Sequence, residues 1–330
     1  NVSLTLDSAA LSFATAVTLT GNVVFSTTNG AATFAEVVDG TADNDQNLTL
    51  NAGTGVVTFA KALGAVKKLG DVVANSTGAT KFQGAVLAKS LTTNAGGSTE
   101  LSADVTTTAA QSFGDALSLK NNIILSGTDI TLAQTVNSDG TARTLQVTGS
   151  GVTTFGGIVG GTAELASLTV DGGGTTLLNA GTVTTAGVQS YTDALTLGAN
   201  TALVTTNSNV SFTSTLNSSE ALATAGTPAP ATLSITAGTG DVTFGNIVGG
   251  ATYTATNGAL GAVTLVSATN VGINAAFTAA SLTQQAGAGS GTTIIGGATT
   301  LTGALGFTGG NLVINAAVGA GGTVSFTGSA

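Results

Sequence analysis

The chain has 330 residues, 48 of them Gly, with 7% charged and 4% aromatic residues and no Cys, His, Met or Trp. Its 42% apolar content excludes a disordered polar tract, and two Pro residues exclude collagen-like and Pro-rich classes. A net charge of −9 repels phosphate backbones, which argues against a nucleic-acid partner, and the missing Cys and His remove disulfides, thiolate metal sites and the usual catalytic base.

What remains is Ala, Val, Leu, Thr, Gly, Ser and Asn in short alternating runs, a β composition with frequent turns. Asn1 opens within such a pattern rather than in a signal peptide, so the chain reads as an excerpt or a processed product. No run is long and apolar enough to predict a membrane span.

In chain order, Ser3–Asp7 alternates as a strand, followed by Ser12–Leu19 and Val23–Phe25, with a turn at Asn29-Gly30. Asp39–Asn47 is a polar loop holding Asp39, Asp43 and Asp45. Leu48–Phe59 (LTLNAGTGVVTF) opens the first copy of a recurring motif. Lys61–Val73 then carries the chain's one helical spacing (Leu63, Val66, Leu69, Val72), interrupted by Gly64 and Gly70. The motif returns at Leu145–Gly161 and at Leu233–Gly250. Leu48–Phe59 and Leu233–Phe244 agree at 8 of 12 positions, and Thr154–Gly161 and Thr243–Gly250 at 7 of 8, so the repeat is not accidental.

A second unit, Gln111–Leu119 (QSFGDALSL), recurs as Gln189–Leu197 (QSYTDALTL), with an echo at Ser12–Leu19. Intervals of 63 residues (Leu48 to Gln111) and 44 (Leu145 to Gln189 and Gln189 to Leu233) fit three, two and two turns of one coil. Those of 34 and 36 (Gln111 to Leu145, Ser12 to Leu48) divide less cleanly and predict loops of varying length. Asn217–Thr232, with Pro228 and Pro230, reads as a loop excursion. A coil of roughly 21–24 residues with three short strands predicts an all-β parallel β-helix, each coil capped by its neighbours. The prediction is one continuous solenoid over 1–330, with super-repeats at 48–144, 145–232 and 233–330 and a partial one at 1–47. Inward residues should include Val147, Phe155, Leu168, Val170, Leu178, Leu195, Leu197, Val210, Phe212, Leu233, Ile235, Phe244, Val263 and Leu265.

The segments TFGGIVGG (154–161), LASLTVDGGGTTLL (165–178), GTVTTAGVQSYTDALTLGANTALVTT (181–206) and NVSFTSTLN (209–217) carry a resemblance. They resemble the β-strand repeats of filamentous-haemagglutinin-type adhesins and related giant bacterial surface proteins. The resemblance covers about Leu48 to Gly328. It implies a right-handed parallel β-helix, secretion across two membranes, and a role in a surface filament or adhesion.

Enzyme chemistry would need carboxylates on adjacent coils. Asp171 with Asp193, Glu220 with Asp241, and Asp139 with Glu164 have the spacing for acid–base work or for a cation. Solvated corner acids are the plainer expectation, and no enzyme activity and no transition metal are expected. Asp39, Asp43 and Asp45 form an oxygen-rich Ca²⁺ candidate that matches neither the EF-hand nor the nonapeptide repeat; a hydrated loop is the plainer expectation. Thr182/Thr184, Thr213/Thr215 and Thr252/Thr254/Thr256 could order water or ice on a flat face, although their intervals are not consistently one coil. Asn47, Asn75, Asn209 and Asn217 match the glycosylation acceptor, as chance allows in this composition, and Gly172–Gly174 lacks the lysine of a phosphate loop. The expected function is a structural, extracellular β-solenoid at the bacterial surface, self-associating into filaments, with a surface glycan or a host receptor as further partner. The alternative is a carbohydrate-binding or polysaccharide-cleaving β-helix, which would need a groove lined with aromatics and charges.

Overall fold

The computed structural model describes residues 2–219, 230–250, 258–285 and 291–328. Among these residues it is all-β, with no helix, and its parallel strands stack as a β-solenoid of about 15 turns. The chain divides into two compact units, Asn1–Gly157 and Ile158–Ala330.

In the first unit three ladders of parallel strands form the walls. The first runs through Val2, Val23, Leu48, Val72, Leu91, Gln111, Ile130 and Thr153. The second passes through Leu11, Ala32, Val57, Thr80, Thr99, Leu117 and Val136. The third passes through Val17, Val38, Leu63, Val86, Val105, Leu125 and Val147. Coils of the first ladder span from 19 residues (Val72 to Leu91) to 25 (Val23 to Leu48).

The second unit repeats the plan. Its ladders run Leu168–Gln189–Val210–Val242–Val271–Thr293–Leu312, Thr176–Leu195–Leu216–Val248–Phe277–Thr299–Val318, and Val159–Val183–Leu203–Ile235–Leu265–Gln284–Phe307–Phe326. Coils here reach 32 residues between Leu216 and Val248, the stretch in which the sequence predicts an excursion at Asn217–Thr232. Residues 220–229 of that stretch, with Pro228, lie outside the described residues.

The core is what stacking demands. All fourteen residues expected to face inward are buried. Identical side chains meet from coil to coil: Phe13, Phe34, Phe59 and Phe82 stack with ring centroids 5.0, 5.1 and 5.3 Å apart. Tyr191, Phe212 and Phe244 do the same at 5.4 and 5.3 Å in the second unit. Offset stacks at this spacing match the preferred geometry of aromatic pairs, so the coil repeat itself sets the contact. The helical spacing at Lys61–Val73 makes no helix. Leu63 bridges Val38 and Val86, Val66 is 79% exposed, and Leu69–Ser76 is a strand. Backbone pairing with neighbouring coils overrides a side-chain period broken by two glycines.

The internal repeat proves to be a corner rather than a coil. In the first unit, Leu48–Phe59 turns from the first ladder (Leu48–Gly53) to the second (Val57–Phe59). Its second copy turns from the third ladder (Thr144–Gly149) to the first (Val152–Phe155). The other unit, Gln111–Leu119, turns from the first ladder to the second, and its echo at Ser12–Leu19 from the second to the third. Each repeated strand–turn–strand sequence thus serves more than one corner. The 63 residues from Leu48 to Gln111 are three turns, through Val72 and Leu91, as the spacing predicts. The 34- and 36-residue intervals are each one turn and two thirds. So is the step from Gln189 to Leu233, which corrects the reading of its 44 residues as two turns: the two residues stand on different ladders and the excursion lies between them.

Candidate functional site

Where a corner interrupts the ladder, backbone amides lose their strand partners and need other acceptors. Side chains of the preceding coil supply them. Asn47 Oδ1 accepts the Asp71 amide at 2.8 Å after its own amide has donated to Asn22 Oδ1 at 2.9 Å. Asp104 accepts from Ile124 at 2.8 Å, Asp129 from Val152 at 2.7 Å, and Asn122 from Thr144 at 3.0 Å. In the second unit, Asn209 accepts from Asp241 at 2.8 Å, Asp241 from Asn270 at 3.0 Å, and Asn270 from Thr292 at 3.0 Å. The residue type fits the task, because Asn and Asp carry a carbonyl or carboxylate oxygen on a short stem.

The acidic loop is used in the same way. Asp39 Oδ1 accepts the Val66 amide at 2.9 Å, and Asp43 Oδ1 the Lys68 amide at 2.9 Å. Asp43 also pairs with Lys67 at 3.3 Å, and the Lys68 amide, followed by Lys67, holds its carboxyl below the usual range. Asp45 accepts from Gln46 Nε2 at 2.7 Å. The three carboxylates therefore serve three separate acceptor roles, and among the described residues no group of three acids converges on one point.

Asp171 and Asp193 do fall on neighbouring coils, since Val170 pairs with Tyr191. Asp193 is 4% exposed and accepts the Gly173 amide at 2.9 Å; burial, with Asp171 adding to it, pushes its carboxyl up. Asp139 pairs with Arg143 at 3.1 Å, which holds it below the usual range. Asp139 belongs to the first unit and Glu164 to the second. Glu220, Tyr253, Thr252, Thr254 and Thr256 lie outside the described residues. Thr182 and Thr184 stand opposite Ala202 and Val204 of the next coil, so that hydroxyl row does not continue.

Of the glycosylation candidates, Asn47, Asn75 and Asn209 serve in coil-to-coil hydrogen bonds; Asn75 donates to Asn51 Oδ1 at 2.8 Å. Asn217 Oδ1 is buried.

Several inward polar residues escape a pattern that treats polar positions in an alternating run as outward, and two of them are a matched pair. Gln111 and Gln189 are buried, and their side chains have the same partners. Gln111 Nε2 donates to the Val105 carbonyl, the Thr107 hydroxyl and the Ser126 carbonyl at 3.2, 3.3 and 2.8 Å. Gln189 Nε2 donates to Val183, Thr185 and Val204 at 3.1, 3.3 and 2.9 Å. The detectable signal was the exact return of Gln and Asp in the QSxxDAL unit, where plain packing would have admitted any apolar residue.

Among the described residues the aromatic rings are buried, apart from the half-buried Phe13 and the exposed Phe326 of the last described coil. No protein-family model matches the chain, and no curated protein or solved structure matches it either. No helix among the described residues is long and apolar enough to cross a membrane.

Proposed function

We propose that this chain is a structural, non-enzymatic β-solenoid of the bacterial cell surface, the shaft of an extracellular filament or adhesin that self-associates. The observation that carries the reading is the use made of the acids. Asp39, Asp43, Asp104, Asp129, Asp193 and Asp241 each accept a backbone amide of an adjoining coil, so their carboxyl groups are spent on holding coils together. The buried aromatic stacks point the same way, since a sugar platform needs rings at the surface. Outward positions carry short hydroxyl side chains, such as Thr169, Ser190, Ser211 and Thr243 in register, a surface suited to contact with a glycan or with another copy.

Negative-stain electron microscopy of the purified chain tests the reading, with filaments as the expected result. Turnover of a uronate polymer that Asp171→Asn or Asp193→Asn abolishes would overturn it. Protease shaving of intact cells tests the location, with the chain expected to be released.

A further inference from the structure

The QSxxDAL unit brings a second residue inside. Asp115 is 2% exposed and Asp193 4%. One carboxyl oxygen of each is committed: Asp115 Oδ1 accepts the Gly97 amide at 2.7 Å and Asp193 Oδ1 the Gly173 amide at 2.9 Å, both from the preceding coil. In Asp115 the other oxygen meets a buried threonine. Asp115 Oδ2 lies 3.4 Å from the Thr99 hydroxyl. Thr176 holds the equivalent place beside Asp193, because Thr99 pairs with Leu117 and Thr176 with Leu195, each two residues past its Asp. Asp193 Oδ2 and Thr176 Oγ1 are both buried with no partner.

No positive charge compensates these carboxyls. The corners stacked on Asp115 are residues 94–97 and 133–135, and those stacked on Asp193 are 171–174 and 213–215. The one charged side chain among them is Asp171, which is an acid, and no Lys or Arg follows Arg143 in the chain. An ionised carboxylate shut away with one amide and no counter-charge is costly, whereas the neutral acid costs less and has a proton to donate. Burial raises both carboxyls above the ordinary range, and Asp171 raises Asp193 further.

We propose that Asp115 and Asp193 are proton-held staples: each un-ionised carboxyl takes the glycine amide on one oxygen, and that of Asp115 gives its proton to the Thr99 hydroxyl from the other, Thr176 standing in register to take the same part for Asp193. Closing the corner then takes up a proton, and opening it releases one. A group whose folded pKa is raised contributes stability that is full below the unfolded pKa and is lost as pH rises through the folded one. Through these corners the solenoid grips hardest in acid.

The Asp115→Asn, Asp193→Asn double variant tests this, because Asn keeps the carbonyl for the glycine amide and offers an N–H to the threonine at every pH. Thermal midpoints of the two full-length chains are compared at about pH 8 and about pH 4, far above the ordinary Asp value and close to it. The variant is expected to melt several degrees higher at the alkaline pH and level with the natural chain at the acid one. A variant that melts lower at both, or a gap that does not change with pH, overturns the proposal. Infrared spectra of the natural chain alone give a second readout. At about pH 5, where an ordinary Asp is mostly ionised, the carbonyl stretch of an un-ionised carboxyl should persist; its absence overturns the staples.

Discussion

Phe155 shows how much a single inward residue carries. It is 1% exposed and lies in register with Leu132 of the coil before it. Phe155→Ala leaves a ring-sized hole in a column that stacking prevents from collapsing. The expected loss is about 3–5 kcal/mol, read by urea denaturation followed by circular dichroism. Tyr191 gives a finer test. Its hydroxyl donates to Gln189 Oε1 at 3.2 Å, inside the core, and burial pushes its ionisation far up, so it stays neutral. The sister corner has Phe113 in that place, and there Gln111 Oε1 is buried with no partner. Tyr191→Phe should therefore cost about 1–3 kcal/mol, the price of an orphaned buried acceptor. Phe113→Tyr should move the other way. Equal effects of both changes would show that the hydroxyl does not serve the glutamine.

At the scale of the element, the corner is the unit that the sequence repeats. Gly64, Gly160 and Gly249 follow the same Phe-x-x-x-Leu/Val pattern and have φ of 70°, 70° and 65°. A Cβ at each would stand 2.1 Å from a carbonyl oxygen of an adjoining coil: Leu87, Thr184 or Thr278. Gly160→Ala should cost at least about 1–3 kcal/mol from backbone strain alone, while Gly21→Ala, with nothing within 4 Å of its Cβ, should be close to neutral. Comparable losses at both sites would mean that coil contact is not what selects glycine.

The walls of the solenoid were legible because a strand alternates inward and outward with period two, and the fourteen core positions follow from that alone. The choice of ladder was not. A strand–turn–strand sequence looks the same at different corners, so an interval of one turn and two thirds passes for an irregular turn. Gln111 and Asp115 were hidden for a related reason: alternation assigns a face by polarity, and an inward polar residue inverts the sign. The acid loop suggested a cation because composition counts oxygens, whereas only the coil above shows that Asp39 and Asp43 face the amides of 66–68.

Over the whole chain, the cations are divided as unevenly as they can be. The first unit contains all seven cations, several of them paired across coils, as where Lys81 and Lys120 flank Glu100 at 3.5 and 3.9 Å. The second unit contains Glu164, Asp171, Asp193, Glu220 and Asp241 and no cation, and its last 89 residues carry no charged side chain. Long-range repulsion from the net charge of −9 is then the main force that keeps copies apart, because the outward Thr and Ser rows bring none of their own. Repulsion of that kind is screened by salt, with a Debye length of about 3 Å at about 1 M. Short-range contacts between hydroxyl-lined faces are not screened. Self-association should therefore rise with ionic strength and with acidification toward the pI near 4.1. Multi-angle light scattering across a salt series checks this at fixed protein concentration. Growth in mass with salt is the expected outcome. A monomer at every salt and pH, up to high concentration and without denaturant, would remove the ground for a filament built from this chain.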